Sequence, residues 1–307
     1  MNELEFTQFL TTYYLRPRPD RVPEALAWYA ASSIGRDSAC TGPMAYFFVR
    51  VAHMHPAMIE RYRFLRGSVS TTGAILVDQV LSLHSRCPTV ESLRSAMREI
   101  TRYQAESVGT VLAATQIDTD FADSPTALTS LEMDCLWAEF CTTGDATVVL
   151  PIIAVLGWPD LIRHRLNDWL LSNSRISPAW LTRWRRNRVL RRLGLTYDAA
   201  LERVGTLEDV DCFCAIQSMG VSSERFAKFR VLLPFELTED EQTYIAVKAV
   251  AKWSLLSNAV QHPRILELCR RQLGVDNMRA RISLAQVVRA ADHARQGGDA
   301  LEASLHA

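Results

Sequence analysis

Apolar residues recur at intervals of three or four along most of this chain, which is the spacing of one face of an α-helix. The first segment keeps this spacing from Phe6 to Tyr14, and the prolines of RPRPD, residues 16–20, end it because proline lacks an amide donor. The stretch FRVLLPFEL, residues 229–237, has strand-like residues, but its internal proline favours a helix end. The pattern predicts helices and no significant β-sheet.

Capping residues indicate where these helices begin and end. Thr238 followed by Glu241 has the arrangement of a capping box, Ser124 before Pro125 is typical of a helix start, and Gly144 suits a left-handed helix end. The predicted helical segments lie near 45–54, 57–65, 71–85, 89–114, 125–143, 146–157, 160–173, 178–193, 197–204, 207–218, 223–232, 238–260, 263–273 and 276–295.

The linkers between these segments are short, so consecutive helices should pack as antiparallel hairpins. The predicted fold is an all-α array of antiparallel helix hairpins. It resembles in kind the TPR and HEAT solenoids, without their consensus or a fixed repeat length. We expect one elongated helical domain over residues 1–295, with a sub-boundary near 115–125 as an alternative, and a frayed tail over 296–307.

One short sequence occurs twice. HPAMIERYR, residues 55–63, returns as HPRILELCR, residues 262–270, with His, Pro, Glu and Arg at matching positions. Proline fits the first turn of a helix and restricts the residue before it, so each copy predicts a corner between two helices, with the histidine at the cap. The alternative, in which these histidines are ligands or acid–base groups, lacks a matching carboxylate or cysteine cluster. His53 and His55 would point to nearly opposite sides of a helix and make a poor metal pair.

Composition narrows the class of protein. The chain has 307 residues with 48% hydrophobic content, and its 34 basic and 34 acidic residues give a formal net charge of zero, so no global field favours polyanions or membranes. Seven scattered cysteines suit reduced core thiols, the N-terminus has no signal-peptide pattern, and no apolar run reaches the ~20 residues needed to span a bilayer. We expect a cytoplasmic, bacterial protein.

The basic residues are concentrated in one block. Residues 163–192 contain nine arginines against one acidic residue, whereas residues 115–145 contain seven acidic residues and no basic one. Three interpretations are open: the two segments pair within the fold, the basic block binds an acidic protein, or its arginines and tryptophans bind nucleic acid. The candidate partner-binding residues are Trp180, Arg183, Trp184, Arg185, Arg186, Arg188, Arg191 and Arg192.

Other motifs give no support for catalysis. DTDFAD, residues 118–123, lacks the glycine and terminal glutamate of a calcium loop, and the cysteine spacings do not converge on a zinc ion. We expect no catalytic, cofactor-binding or metal-binding residues, although the sequence does not decide whether the protein is an enzyme. The favoured function is a non-enzymatic protein–protein interaction module, such as an adaptor, a chaperone-like factor or the neutralising partner of a toxin or effector. The alternative is a nucleic-acid-binding helical protein that uses segment 163–192.

Overall fold

The computed structural model describes residues 1–33, 35, 38–115, 127–162, 164–165 and 237–305. This part of the chain is all-helical and contains no strand, as the periodicity predicts. Its α-helices are α1 Glu3–Thr12, α2 Val22–Ala31, α3 Ser38–Met54, α4 Met58–Arg66, α5 Thr71–Arg86, α6 Val90–Ile100, α7 Arg102–Thr115, α8 Ser130–Thr143, α9 Leu150–Val155, α10 Glu239–Gln261, α11 Pro263–Arg271 and α12 Met278–Leu305.

The chain divides into two compact units. Unit 1 comprises Met1–Ala105 and Leu128–Ile152, and unit 2 comprises Glu106–Ala127 and Ile153–Ala307. The expected sub-boundary near 115–125 falls inside the shorter segment of unit 2. The single elongated domain over residues 1–295 stays a prediction, as does the fraying of segment 296–307, where α12 continues to Leu305.

Helix α3 is the centre of unit 1. It contacts α8 and α5 and, over smaller areas, α4 and α6. Its middle carries the consecutive apolar run Ala45–Val49, all buried, and a helix that is apolar all round must be covered on all sides. Because such cores are close-packed, truncating Phe47 to alanine would cost about 3–5 kcal/mol. The other helices of unit 1 that contact α3 therefore pack against a central helix whose middle is buried.

Helix α10 has the same role in unit 2, where it contacts α11 and α12. Tyr244, Ile245, Val247 and Leu255 are all buried, so this helix is packed from more than one side. Trp253 of the same helix is 54% exposed.

Several helix ends agree with the capping signals. Thr238 and Glu241 form the predicted capping box, and Gly144 ends α8 with a φ of 71°, the left-handed conformation that glycine adopts without strain. Two boundaries differ. The single segment expected over 89–114 breaks at Thr101, and α8 begins at Ser130, capped by the buried Thr129, later than expected from Ser124–Pro125.

The two His-Pro corners are not equivalent. Pro263 stands in the first turn of α11, and His262 both ends α10 and precedes α11, as predicted. In the other copy Pro56 lies in a turn, and α4 begins two residues later at Met58, whose amide donates to the carbonyl of His55. Both copies turn the chain between two helices. The larger arrangement, an array of antiparallel hairpins, stays a prediction. The most extensive helix–helix contact of unit 1 joins α3 to α8, which are distant in sequence.

Candidate binding groove

Unit 1 contains an open groove with a volume of about 1170 Å³. Its walls are α5 on one side and α6, the start of α7 and the first turns of α8 on the other, with the N-terminal half of α3 beneath. The lining residues are Gly35, Gly42, Ala45, Ile75, Leu76, Asp78, Gln79, Ser82, Leu83, Arg86, Met97, Ile100, Gln104, Ser130, Leu131 and Asp134.

Helix α5 forms the longest wall. The groove-facing positions from Ile75 to Arg86 recur at helical spacing, so they occupy one face over three turns, about 16 Å of helix at 1.5 Å per residue. The opposite face of α5 supplies Val77 and Val80 to the core, which fixes the orientation of the wall. Ser70 caps the start of this helix by accepting a hydrogen bond from the amide of Gly73 at 3.2 Å.

Helix α6 carries an apolar stripe that is longer than the surface covering it. Leu93, Met97 and Ile100 stand at helical spacing, and the first two are buried, but Ile100 is 68% exposed. Ile75, on the facing wall, is 57% exposed. Large apolar side chains on both walls of one concave surface are typical of an interaction site rather than of scattered surface residues.

The base of the groove depends on a close helix approach. A Cβ atom on Gly42 would stand 3.0 Å from Leu131 Cδ1, so the absence of a side chain lets the start of α3 approach α8. This approach holds Leu131 and, one turn further along α8, Asp134 at the groove surface.

Asp134 is the unusual polar residue of the lining. Its side chain is reachable by water, yet burial among the surrounding groove atoms raises the pKa of its carboxyl to about 6. Within the described part of the chain it has no hydrogen-bond or ion-pair partner. The carboxylate of Asp78, by contrast, binds Arg66 at the outer edge of α5.

The neighbouring acidic residues of α8 are held internally. Glu139 is buried and accepts hydrogen bonds from Arg50 Nε at 2.8 Å and from the Tyr46 hydroxyl at 3.1 Å. Glu132 pairs with Arg98 and closes a capping box with Thr129. Burial, with the nearby Glu139 carboxylate, raises the pKa of the Tyr46 hydroxyl, so this group stays protonated and donates. These pairs fix α8 against α3 and α6.

A histidine pair lies elsewhere in unit 1. The rings of His53 and His84 have centroids 5.1 Å apart, and His53 Nε2 lies 2.9 Å from the Cys87 carbonyl oxygen, so Nε2 carries the proton and donates. His53 Nδ1 is buried and has no hydrogen-bond partner among the described residues. Burial lowers the pKa of both histidines. The sequence interpretation compared His53 with His55 and missed His84, because sequence spacing does not reveal contacts between α3 and α5.

A buried lysine in unit 2 is structural. Lys248 pairs with Asp160 and donates to the Pro159 carbonyl oxygen at 3.3 Å, and the Tyr244 hydroxyl donates to the same oxygen at 2.7 Å. The ring of Trp158 stacks on that of Tyr244. A cationic group held by a carboxylate and a carbonyl fixes the chain around Pro159 against α10.

The candidate residues from Trp180 to Arg192 lie outside the described residues, so their partner-binding role stays a prediction. Of the arginines in the block 163–192, Arg165 is described, and it pairs with Glu241 of unit 2 at 3.0 Å. The described acidic residues Glu132 and Glu139 bind arginines that precede the acidic segment in sequence. Most of the basic block lies outside the described residues, so its pairing with segment 115–145 stays a prediction.

No family model, curated protein or solved structure matches this chain. Within the described ranges, no three histidine, cysteine, aspartate or glutamate residues are grouped as metal ligands would be, and none of the helices there has both the length and the apolar content to cross a membrane.

Proposed function

We propose that this protein is a protein–protein interaction module whose unit 1 groove binds an amphipathic helix of a partner protein. The observation that carries the proposal is the pair of exposed apolar residues, Ile75 and Ile100, on opposite walls of a concave surface. Such a surface suits the roles of an adaptor, a chaperone-like factor or a toxin- or effector-neutralising protein of the bacterial cytoplasm.

The dimensions of the groove favour a helix over a small molecule. Small-molecule sites usually enclose about 300–1,000 Å³, and this groove exceeds that range and is open along its length. A helix with side chains is about 10–12 Å across, and the wall of α5 offers it three turns of contact. A bound helix would place apolar residues at positions i, i+3, i+4 and i+7 on this floor.

The chemistry of the lining also favours binding over catalysis. The lining contains serine hydroxyls at 82 and 130 and carboxylates at 78 and 134, but no histidine or cysteine. Nucleophilic catalysis needs a base within hydrogen-bond reach of the nucleophile, and in the described part of the chain neither lining serine forms a hydrogen bond with a carboxylate. The proposal is therefore a non-enzymatic one.

The experiment uses the full chain and a displayed library of helical peptides with randomised residues on one face. Ile100→Lys places a charge on the apolar wall, whereas Leu4→Lys changes a residue of nearly equal exposure, 67%, on α1 outside the groove. We expect selected peptides to lose at least tenfold in affinity for the Ile100→Lys protein and to bind the Leu4→Lys protein normally. A tenfold loss corresponds to about 1.4 kcal/mol, which a single hot-spot residue can contribute.

A second variant with its own control tests whether the opposite wall of the groove also contributes to binding. Ile75→Lys changes the other wall, and Leu15→Lys is its control, because Leu15 is 56% exposed and does not line the groove. Circular dichroism checks that all four variants remain folded. If folded Ile75→Lys and Ile100→Lys proteins bind the selected peptides as well as their controls do, the groove is not the binding site.

A further inference from the structure

We propose that the helix bound in the groove presents an arginine or lysine to Asp134, so that the partner class is an amphipathic helix with one basic residue within its apolar face. This inference rests on the proposed function, because it assigns the chemistry of the occupant of the same groove. It commits to a helical segment of another protein as that occupant.

The first argument is the position of the carboxylate. Asp134 lies on α8 one turn after Leu131, and both residues line the groove. Ser130, at the start of the same helix, also lines the groove and accepts a hydrogen bond from the Gln104 side chain at 3.4 Å. A helix placed against Leu131 would therefore bring its next turn to Asp134.

The second argument is charge. The charged lining residues are Asp78 and Arg86 on α5 and Asp134 on α8, while α3 and α6 contribute apolar residues to the lining. Asp78 is bound by Arg66, and on α8 the nearby Glu132 is bound by Arg98. Asp134 is the lining carboxylate without such a partner in the described part of unit 1.

The third argument is the cost of covering this carboxylate. A purely apolar helix would remove Asp134 from water without replacing the lost hydrogen bonds, which is unfavourable for an ionised group. A guanidinium or ammonium group supplies charge-assisted hydrogen bonds and offsets that loss. Arginine is the better complement, because its planar group can bind both carboxylate oxygens while its aliphatic stem packs on apolar neighbours.

The proton state of Asp134 gives this interaction a pH dependence. A basic partner binds the ionised carboxylate, and in the free protein that carboxyl is protonated below about pH 6. Affinity should therefore fall between pH 7 and pH 5, because the carboxyl becomes protonated over this range and loses its attraction for the basic residue. Asp78 on α5 does not produce the same change, because its hydrogen bond and ion pair with Arg66 lower the pKa of its carboxyl.

The test selects helical peptides from the displayed library on the full chain at pH 7, then measures their affinities at pH 7 and pH 5 for three proteins. These are the wild type, Asp134→Asn, and Glu60→Gln, which removes a carboxylate from an exposed ion pair on α4 outside the groove. We expect groove-binding peptides to share a basic residue at a fixed spacing from their apolar residues. Affinity should fall about tenfold or more with Asp134→Asn, stay unchanged with Glu60→Gln, and lose its pH dependence in the asparagine variant.

Two failures are distinguishable. Peptides that depend on Ile75 and Ile100, lack a shared basic residue and bind Asp134→Asn normally would overturn this inference and leave the groove function standing. Peptides that bind independently of Ile75 and Ile100 would overturn both. Replacing the shared basic residue of a selected peptide by glutamine gives the reciprocal check, since this change should cost affinity for the wild type and little for Asp134→Asn.

Discussion

Replacing Arg50 by methionine tests how unit 1 is held together. Methionine keeps much of the unbranched stem of arginine but removes the guanidinium that binds Glu139, and the Arg50 and Glu139 side chains are 16% and 5% exposed. Glu139 would then retain the hydroxyl of Tyr46 as its remaining described side-chain donor, so a buried carboxylate would lose the guanidinium that binds it directly. Removing one partner of a buried ion pair typically costs about 3–5 kcal/mol.

An exposed ion pair of the same unit gives the matched control. Arg63 pairs with Glu60 on α4, and these side chains are 60% and 74% exposed. Exposed pairs contribute about 0–1 kcal/mol, so Arg63→Met should lower the free energy of unfolding by no more than that. Urea denaturation of the full chain measures both variants, and calorimetry should show a melting temperature lower by about 10 °C for Arg50→Met.

A triple variant separates burial of charge from loss of packing. Arg50→Met, Glu139→Leu and Tyr46→Phe together remove the ion pair and the hydroxyl that binds Glu139, and leave apolar side chains in their place. Because an apolar replacement of a buried pair is often neutral, the triple variant should be more stable than Arg50→Met alone. The reasoning is refuted if Arg50→Met costs no more than Arg63→Met, or if the triple variant is less stable than the single one.

Three further predictions concern titratable groups. Burial lowers the pKa of His53 and His84, so below about pH 6.5 the unfolded chain takes up protons before the folded chain does. Unit 1 should therefore lose stability as pH falls from 7 to 5. The loss should be less steep in the His84→Gln protein. Asp134 contributes the opposite pH dependence, because its raised pKa makes the folded state bind this proton before the unfolded state does on acidification. The Asp134→Asn protein should therefore lose stability more steeply than the wild type as pH falls. Urea midpoints from pH 7 to pH 5 that do not differ between the wild type and the two variants would contradict both predictions. Burial also raises the pKa of the Cys135 thiol and raises that of the Cys269 thiol to about 11. Brief treatment of the native protein with a maleimide at pH 7 should therefore leave both cysteines unlabelled, as measured by mass spectrometry. Rapid labelling of either cysteine would contradict its burial.

Local features of the fold could be predicted from the sequence. The period of the apolar residues identified the helices, and short-range chemistry identified the capping box at Thr238 and the left-handed end at Gly144. The break at Thr101 was not predictable in this way, because it contains neither proline nor glycine. Its side chain instead lies 3.0 Å from the hydroxyl of Thr129, a contact between distant segments.

The groove could not be predicted, because its walls come from helices that are separated in sequence. Arg50 and Glu139 are 89 residues apart, and nothing in their local sequence pairs them. One signal was available: the stripe of Leu93, Met97 and Ile100 on α6 predicts burial for all three residues, and Ile100 is exposed. The exposure of Ile100 can be recognised only when the positions of the helices that pack against α6 are known.

Hydrogen–deuterium exchange of the full chain, with and without a selected helical peptide, tests the central claim most directly. Binding in the groove should slow amide exchange in α5, α6 and the first turns of α8, because these elements form its walls. The same peptide should leave exchange in α10 and α11 of unit 2 unchanged. Protection confined to residues 160–236, with none in α5, α6 and α8, would contradict the account and favour the arginine-rich block as the binding surface.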